Sequence, residues 1–129
     1  MVTEKPLILV VDDESDSLAF LFDLLHNEGY RVLPASSPLD ALELVVKRKP
    51  SLIISDLRMP DLDGMELLDR VKAISPRSRV ILLTAYGDRN LQQDVIRRGG
   101  EAMLLKPSSN EAILTAVQKA LEEVERCFP

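Results

Sequence analysis

The sequence predicts an α/β fold, a doubly wound sheet of five parallel strands in the order 2-1-3-4-5. Five strand-like segments alternate with five helix-like segments along the 129 residues. The first and third strand-like runs are apolar throughout, as is typical of parallel strands that helices cover on both faces. For five such units this strand order is a common solution, and it places a ligand site between the first and third strands.

Five short segments rich in aliphatic residues are the predicted strands. Acidic residues follow the first strand directly, and Asp56 follows the third. Thr84 and Lys106 follow the fourth and fifth. The predicted strands are 7–11, 31–35, 51–55, 79–83 and 101–105. Polar residues are therefore expected at the carboxyl ends of four of the five strands.

The intervals between strands carry apolar residues at helical spacing, and the last strand is followed by the same pattern. The third helix is predicted from about 64 to 74 and the fourth over roughly 88–98. The other boundaries are predicted from residues that typically start or stop a helix. Gly29 ends the first helix, Ser37-Pro38 opens the second and Pro50 closes it. The fifth starts near Ser109, with Ser108-Ser109 as its caps. The fourth helix has few apolar residues, and we predict that it is weakly anchored.

The composition is that of one globular domain over residues 1–129. The chain is 46% hydrophobic and 29% charged, with a net charge of −5, so no nucleic-acid footprint is expected. A single cysteine excludes an internal disulfide framework and favours a reducing cytoplasm. The apolar runs are too short to cross a membrane, and the first residues lack a signal-peptide core. We predict a cytoplasmic domain that contacts neither nucleic acid nor membrane by itself.

Three acidic residues are expected to meet at one edge of the sheet. Asp12 and Asp13 follow the first strand, and Asp56 follows the third. Neighbouring parallel strands would bring these carboxylates together from distant parts of the chain. Clustered carboxylates repel one another and are costly to desolvate, so such a cluster usually holds a hard cation such as Mg²⁺.

Thr84 and Lys106 add the remaining chemistry of phosphoryl transfer to the same edge. A lysine and a cation neutralise charge on phosphoryl oxygens, and a hydroxyl can donate a hydrogen bond to one of them. A carboxylate is a competent nucleophile that forms an aspartyl-phosphate.

In these residues the chain resembles the receiver domain of two-component response regulators, a flavodoxin-like (βα)5 fold, from residue 6 to about 124. The motifs that carry the resemblance are Val11-Asp12-Asp13-Glu14, Asp56 through Gly64, Leu83-Thr84-Ala85 and Lys106-Pro107. Each motif alone is weak, but all four occur in order and at strand ends. The run from Thr84 to Asp88 is also similar to that of receivers that precede a sigma-54-dependent ATPase module.

The resemblance implies a metal site and a phosphoacceptor. Asp56 would be phosphorylated. Asp13 and Asp56 would bind Mg²⁺ directly and Asp12 through water, with the backbone carbonyl of Arg58 as a further ligand.

The resemblance also implies roles for the other strand-end residues. Thr84 would hydrogen-bond the phosphoryl group and Lys106 would pair with it. The Lys106–Pro107 peptide would be cis, an isomer that is inexpensive only before proline. The domain would assist its own phosphorylation and dephosphorylation as a switch, without being a metabolic enzyme. Its partners would be a histidine kinase or phosphotransfer protein, a downstream output domain and, in some cases, a second copy of the domain.

Three positions are expected to tune the switch. Met103 stands where most receivers carry Tyr or Phe, a ring that moves inward together with the threonine on phosphorylation. Here a flexible apolar side chain takes the place of that ring. Arg58 and Tyr86 lie two residues after the acceptor and after the threonine, and we predict that they affect the phosphate lifetime.

Three other functions remain as alternatives. The domain could be a pseudo-receiver that acts as a protein-interaction module without phosphate, a reading that Met103 and Ser108 favour. A small hydrolase using Asp56 would need a second acid or base, and none is clearly positioned. A nucleotide-binding module would need a glycine-rich loop after the first strand, where acidic residues stand instead.

Overall fold

The computed structural model describes residues 6–85, 87 and 89–126, with side chains as far as residue 122. Strands and helices alternate strictly. The strands are β1 (Leu7–Val11), β2 (Arg31–Ala35), β3 (Leu52–Asp56), β4 (Arg79–Thr84) and β5 (Ala102–Leu105). The helices are α1 (Ser15–Asn27), α2 (Pro38–Arg48), α3 (Gly64–Ile74), α4 (Arg89–Arg97) and α5 (Asn110–Arg126).

All strand pairs are parallel, and the order is β2-β1-β3-β4-β5, which confirms the predicted topology. Successive side chains of a strand point to opposite faces of the sheet. Leu9 and Val11 of β1 therefore pack in the core beneath α2, α3 and α4, and Ile8 and Val10 pack in the core beneath α1 and α5. Both faces of β1 are buried, which explains its unbroken apolar sequence.

Several predicted boundaries were wrong by one residue. β3 and β4 continue through the polar residues Asp56 and Thr84, since Asp56 pairs with Leu83 and Thr84 pairs with Leu105. Strand pairing is made by the backbone, so side-chain polarity does not end it. β3 and β5 each begin one residue later than predicted, at Leu52 and Ala102. α4 ends at Arg97, one residue before the predicted end at 98. Its predicted first residue, 88, lies outside the described residues.

The predicted double cap of α5 was half wrong. The Ser109 hydroxyl accepts a hydrogen bond from the Ala112 N–H at 3.0 Å, as an N-cap should. The Ser108 hydroxyl instead donates to the Leu105 carbonyl and so closes the turn after β5. One serine caps the helix and the other holds the loop that precedes it.

Candidate functional site

The three predicted acidic residues meet at the carboxyl edge of β1 and β3. Asp12, Asp13 and Asp56 each offer a carboxylate oxygen, and these oxygens all lie within 4.8 Å of one another. The contact follows from the register, because Val11 pairs with Ser55 and so Asp12 and Asp56 are the next residues on adjacent strands. Asp13 is exposed, Asp56 is half-buried and Asp12 is buried.

The carboxylate of Asp12 is buried, and only one of its two oxygens accepts a hydrogen bond from the described residues. Its Oδ1 accepts a hydrogen bond from the Glu14 N–H at 3.0 Å. Its Oδ2 is buried and has no hydrogen-bond partner among the described residues, and the Lys106 ammonium lies 3.7 Å away. Burial raises the pKa of Asp12, and the neighbouring Asp56 and Asp13 carboxylates raise it further, whereas the Glu14 N–H and Lys106 lower it.

These donors fit a hard divalent cation. Mg²⁺ prefers carboxylate and carbonyl oxygens and keeps several waters, so one or two directly bound carboxylates beside an open face suit it. The buried Oδ2 of Asp12, which accepts no hydrogen bond from the described residues, is the kind of atom that an ion or an ion-bound water would satisfy. The exposure of Asp13 leaves room for the waters.

Lys106 lies between two of the acidic residues. Its Nζ is 3.5 Å from Asp56 Oδ2 and 3.7 Å from Asp12 Oδ2. Its backbone N–H donates to the Thr84 carbonyl at 2.7 Å, and this bond fixes the end of β5 against the end of β4. The Lys106–Pro107 peptide is cis, as expected.

Thr84 is the last residue of β4 and is buried. β4 lies next to β3, so Thr84 stands one strand away from Asp56 on the same edge. The Leu57 N–H donates to the Leu83 carbonyl at 2.9 Å, which joins the two strand ends directly before Thr84. The sheet thus brings together all five strand-end residues that the sequence singled out: Asp12, Asp13, Asp56, Thr84 and Lys106.

The loop after Asp56 is closed tightly onto the strand. The Gly64 N–H donates to the Leu57 carbonyl at 2.7 Å, and the Asp63 side chain caps α3 by accepting from the Glu66 N–H at 2.9 Å. Asp61 adopts a positive φ of 72° within the loop. Arg58 is exposed at the start of this loop, so its position relative to Asp56 depends on how the loop closes.

The structure describes Met103 but not Tyr86, the other two positions that the sequence analysis expected, beside Arg58, to tune the switch. Met103 is buried in the core beneath α2, α3 and α4, so it points into the molecule and not to its surface. Tyr86 lies outside the described residues.

Sequence reasoning missed a cleft next to the acidic edge. It has a volume of about 630 Å³ and lies between α1 and the start of α5, with Phe20, Leu83 and Ile113 on its apolar walls and Asp12 and Lys106 at one end. Phe20 is 48% exposed on α1. The signal in the sequence was an aromatic residue that does not share the helical spacing of the buried Leu21 and Leu25.

Among the described residues no helix is both long and apolar enough to cross a bilayer.

Comparisons with known proteins agree with this architecture. A family model described as the response regulator receiver domain matches residues 8–118. The chain is 37% identical over 121 residues to sporulation initiation phosphotransferase F of Bacillus subtilis, a match covering 94% of the chain and 96% of that protein. It is 36% identical over 123 residues to the transcriptional regulatory protein GlrR of Escherichia coli, covering 95% of the chain but 28% of that protein.

A crystal structure of a response regulator receiver domain protein from Clostridium thermocellum superposes with a TM-score of 0.91 at 32% identity. That match covers 95% of the chain and 99% of the compared structure. The chain therefore spans nearly all of some relatives and little more than a quarter of another.

Proposed function

Because the chain belongs to the response regulator receiver domain family, we propose that it is a Mg²⁺-dependent phosphoacceptor switch. Members of this family are signalling domains of two-component systems. The observation that carries the proposal is the convergence of three carboxylates and the Lys106 ammonium at one edge of the sheet. The carboxylates supply oxygen ligands for a hard cation, and the lysine supplies a positive charge beside a nucleophile.

We assign the phosphoacceptor role to Asp56. Its side chain is 13% exposed, whereas that of Asp12 is 1% exposed, so Asp56 is the more accessible of the two acids beside Lys106. A carboxylate oxygen of Asp56 would attack the phosphorus of a phosphohistidine on a partner protein. The new O–P bond would form as the P–N bond breaks, and the leaving imidazole would take up a proton.

Asp12, Asp13 and Asp56 would hold the metal ion, together with the backbone carbonyl of Arg58. When bound, Mg²⁺ would offset negative charge on the phosphoryl oxygens and on the acidic residues themselves. The support from the described part of the chain is the close approach of the three carboxylates and the Oδ2 of buried Asp12, for which no hydrogen-bond donor is found there.

Lys106 and Thr84 would stabilise the phosphorylated state. The Lys106 ammonium, 3.5 Å from Asp56, would pair with the added phosphoryl group, and the Thr84 hydroxyl would donate a hydrogen bond to it. Both groups lie at strand ends, and the Lys106 N–H donates a hydrogen bond to the Thr84 carbonyl. A shift of one residue would therefore displace the other. Arg58 and Tyr86 would affect how long the phosphate survives.

The signal would leave the site through α4, β5 and α5. Phosphorylation adds roughly −1.5 to −2 of charge at Asp56 and draws Thr84 and Lys106 toward it. A local charge change of this kind can bias an element that has two arrangements. In α4 the described residues bury a single side chain, Val95, so this helix is the element that most easily moves.

We propose that the phosphodonor is a histidine kinase or phosphotransfer protein and that the signal passes to an output domain, an output protein or a second copy of the chain. The chain spans 28% of GlrR, a transcriptional regulatory protein, and this similarity supports a link to transcriptional regulation. It also supports the subgroup of receivers that precede a sigma-54-dependent ATPase module. We propose a cytoplasmic location, with no contact to nucleic acid or membrane by this domain alone.

Labelling by a small phosphodonor tests the proposal. We expect acetyl phosphate to label the wild-type chain with one phosphoryl group when Mg²⁺ is present, and Asp56→Asn to abolish the label. Asp61→Asn is the matched control, because Asp61 is an exposed acid of the same loop and should leave labelling unchanged. Full labelling of Asp56→Asn would disprove the acceptor assignment. A wild-type chain that stays unlabelled would favour the phosphate-independent interaction module.

A further inference from the structure

Ser55 is a fully buried polar residue among aliphatic side chains, directly before the proposed acceptor. It pairs with Val11 of β1 and Leu82 of β4, and both neighbours belong to the core beneath α2, α3 and α4. Side chains alternate along β3, so Ser55 points to the same face as Ile53, which lies in that core. Burying a hydroxyl in such surroundings costs free energy unless it is hydrogen-bonded.

The Ser55 hydroxyl is hydrogen-bonded to the backbone of the acceptor residue. It lies 2.9 Å from the Asp56 carbonyl oxygen and 4.0 Å from Met59 Sδ. A hydroxyl has one proton to donate, and it goes to the carbonyl because a thioether sulfur accepts only weakly. The hydroxyl therefore fixes the peptide that leads from Asp56 into the loop 57–63.

The contact with Met59 closes the first turn of this loop onto the strand. Met59 is partly buried and packs against the core beneath α2, α3 and α4. Only two residues separate Asp56 from Met59, and one of them is Arg58, whose backbone carbonyl is a proposed metal ligand. A short segment held at both ends has few conformations, so Ser55 restricts where that carbonyl can lie.

We propose that Ser55 is a positioning residue of the metal site, which holds the turn from Asp56 to Met59 so that the Arg58 carbonyl is ready for a divalent cation. This role rests on the proposed phosphoacceptor function and its metal site. Mg²⁺ demands near-ideal octahedral geometry, so its affinity depends on how closely its ligands are held in place. Groups behind the ligands of a metal strengthen binding by orienting those ligands.

Ser55→Ala should weaken Mg²⁺ binding although it removes no ligand. Without the hydroxyl the turn is less restricted, and the ion must order it on binding. One buried hydrogen bond is lost, so we expect the Mg²⁺ dissociation constant to rise by roughly three- to tenfold. NMR titration of the ¹⁵N-labelled, metal-free protein with MgCl₂ at pH 7 measures the constant.

Ser55→Thr and Ser55→Val separate the hydroxyl from the shape of the side chain. Both variants add a β-branched side chain of nearly the same size, but only Ser55→Thr keeps the donor. Any displacement of Met59 by the larger side chain is common to the two. We therefore expect Ser55→Thr to bind Mg²⁺ at least threefold more tightly than Ser55→Val.

Ser78→Ala is the matched control. Ser78 is also buried and its hydroxyl donates to the Pro50 carbonyl at 2.6 Å, but it precedes β4 at the amino edge of the sheet, opposite the metal site. Ser78→Ala should lower the midpoint of urea denaturation in EDTA about as much as Ser55→Ala does, and it should leave the Mg²⁺ dissociation constant unchanged.

Three results would show that Ser55 does not position the metal site. They are equal Mg²⁺ affinity of Ser55→Ala and wild type, equal affinity of Ser55→Thr and Ser55→Val, and a loss of affinity in Ser78→Ala as large as that in Ser55→Ala. A wild-type chain that binds no Mg²⁺ would instead contradict the metal site of the proposed function.

Discussion

Asp12 is the residue at which burial and charge conflict most directly. Its carboxylate is buried beside two other carboxylates, and one of its oxygens has no hydrogen-bond partner among the described residues. The raised pKa expresses this conflict, because the fold favours the protonated form. The ionised carboxylate at neutral pH therefore lowers the stability of the metal-free protein, and a divalent cation would reverse that effect.

We expect Asp12→Asn to stabilise the metal-free protein. The amide keeps the shape of the side chain but removes the buried charge and its repulsion by Asp13 and Asp56. The amide is still a buried polar group, so the gain comes from removing the buried charge and its repulsion by the two neighbouring carboxylates. This should outweigh the lost attraction to Lys106, and the free energy of unfolding in EDTA should rise by about 1 kcal/mol. Urea denaturation at pH 7 measures it, and a variant less stable than wild type would contradict the prediction.

The same substitution gives a pH dependence of known sign. Since the folded-state pKa of Asp12 lies above its ordinary value of 3.8, the folded wild type binds the proton more readily than the unfolded chain. The stability cost of Asp12 is therefore fully present above the folded pKa and disappears as pH falls toward 3.8. The stability advantage of Asp12→Asn should shrink over that window. An advantage that grows toward acid pH would show that burial does not dominate at this site.

Among the connecting elements, the β3–α3 loop depends on a glycine at its end. A Cβ atom built on Gly64 would lie 2.8 Å from the Asp56 carbonyl oxygen and 2.8 Å from Leu57 Cα. These are backbone atoms, so they cannot rotate away from an added side chain. A side chain at position 64 would therefore push the backbone that carries the proposed acceptor.

We expect Gly64→Ala to destabilise the protein by roughly 1–3 kcal/mol, the usual cost of overpacking. Because the collision involves Asp56 itself, labelling by acetyl phosphate should also slow. Glu66→Ala is the control, since Glu66 is exposed in the first turn of the same helix and its backbone N–H remains to bond Asp63. Equal labelling rates for Gly64→Ala and wild type would show that the loop does not position Asp56.

The helices differ in how firmly they are held. α3 buries Gly64, Met65, Leu67, Leu68 and Val71, whereas the described residues of α4 bury Val95 alone. At its carboxyl end α4 is fastened by the Gly100 N–H, which donates to the Val95 carbonyl at 2.8 Å, and by the exposed pair of Arg98 with Asp69. Exposed ion pairs contribute little, so α4 depends on few buried contacts.

Hydrogen exchange should reveal this difference. We expect the backbone amides in the middle of α4 to exchange faster than those in the middle of α3 in the unphosphorylated protein. Mass spectrometry of the exchanged peptides, or NMR, resolves the two helices. Equal protection would mean that α4 is not the weakly anchored element, and the proposed route of the signal would need another helix.

Element existence could be predicted from the sequence better than element ends. The apolar runs indicated β1, β3 and β4 clearly, because both faces of these central strands are buried. The edge strands β2 and β5 are less buried, and their place in the alternation with helices helped to indicate them. The ends of β3 and β4 were missed because Asp56 and Thr84 continue the backbone pairing, which leaves no mark on side-chain polarity. Ser108 was misassigned because a serine before a helix can cap it or bond the preceding turn with equal chemistry.

At the scale of the whole molecule, the strand order is what brings the site residues together. Placing β1 beside β3 brings Asp12 and Asp56 together although 44 positions (56 − 12) separate them in the sequence. That juxtaposition could be predicted because parallel strands present their carboxyl ends at one edge. The cleft beside Phe20 could not be predicted, because it arises from the packing of α1 against the start of α5, and neither segment's sequence indicates its partner.

The most direct test of the central claim is to locate the phosphoryl group. The wild-type chain would be incubated with acetyl phosphate and Mg²⁺, trapped by borohydride reduction of the acyl phosphate and digested for mass spectrometry. We predict modification of Asp56 alone, and none when EDTA removes the divalent ion. Modification of Asp12, Asp13 or any other residue in place of Asp56, or full modification in EDTA, would contradict the account.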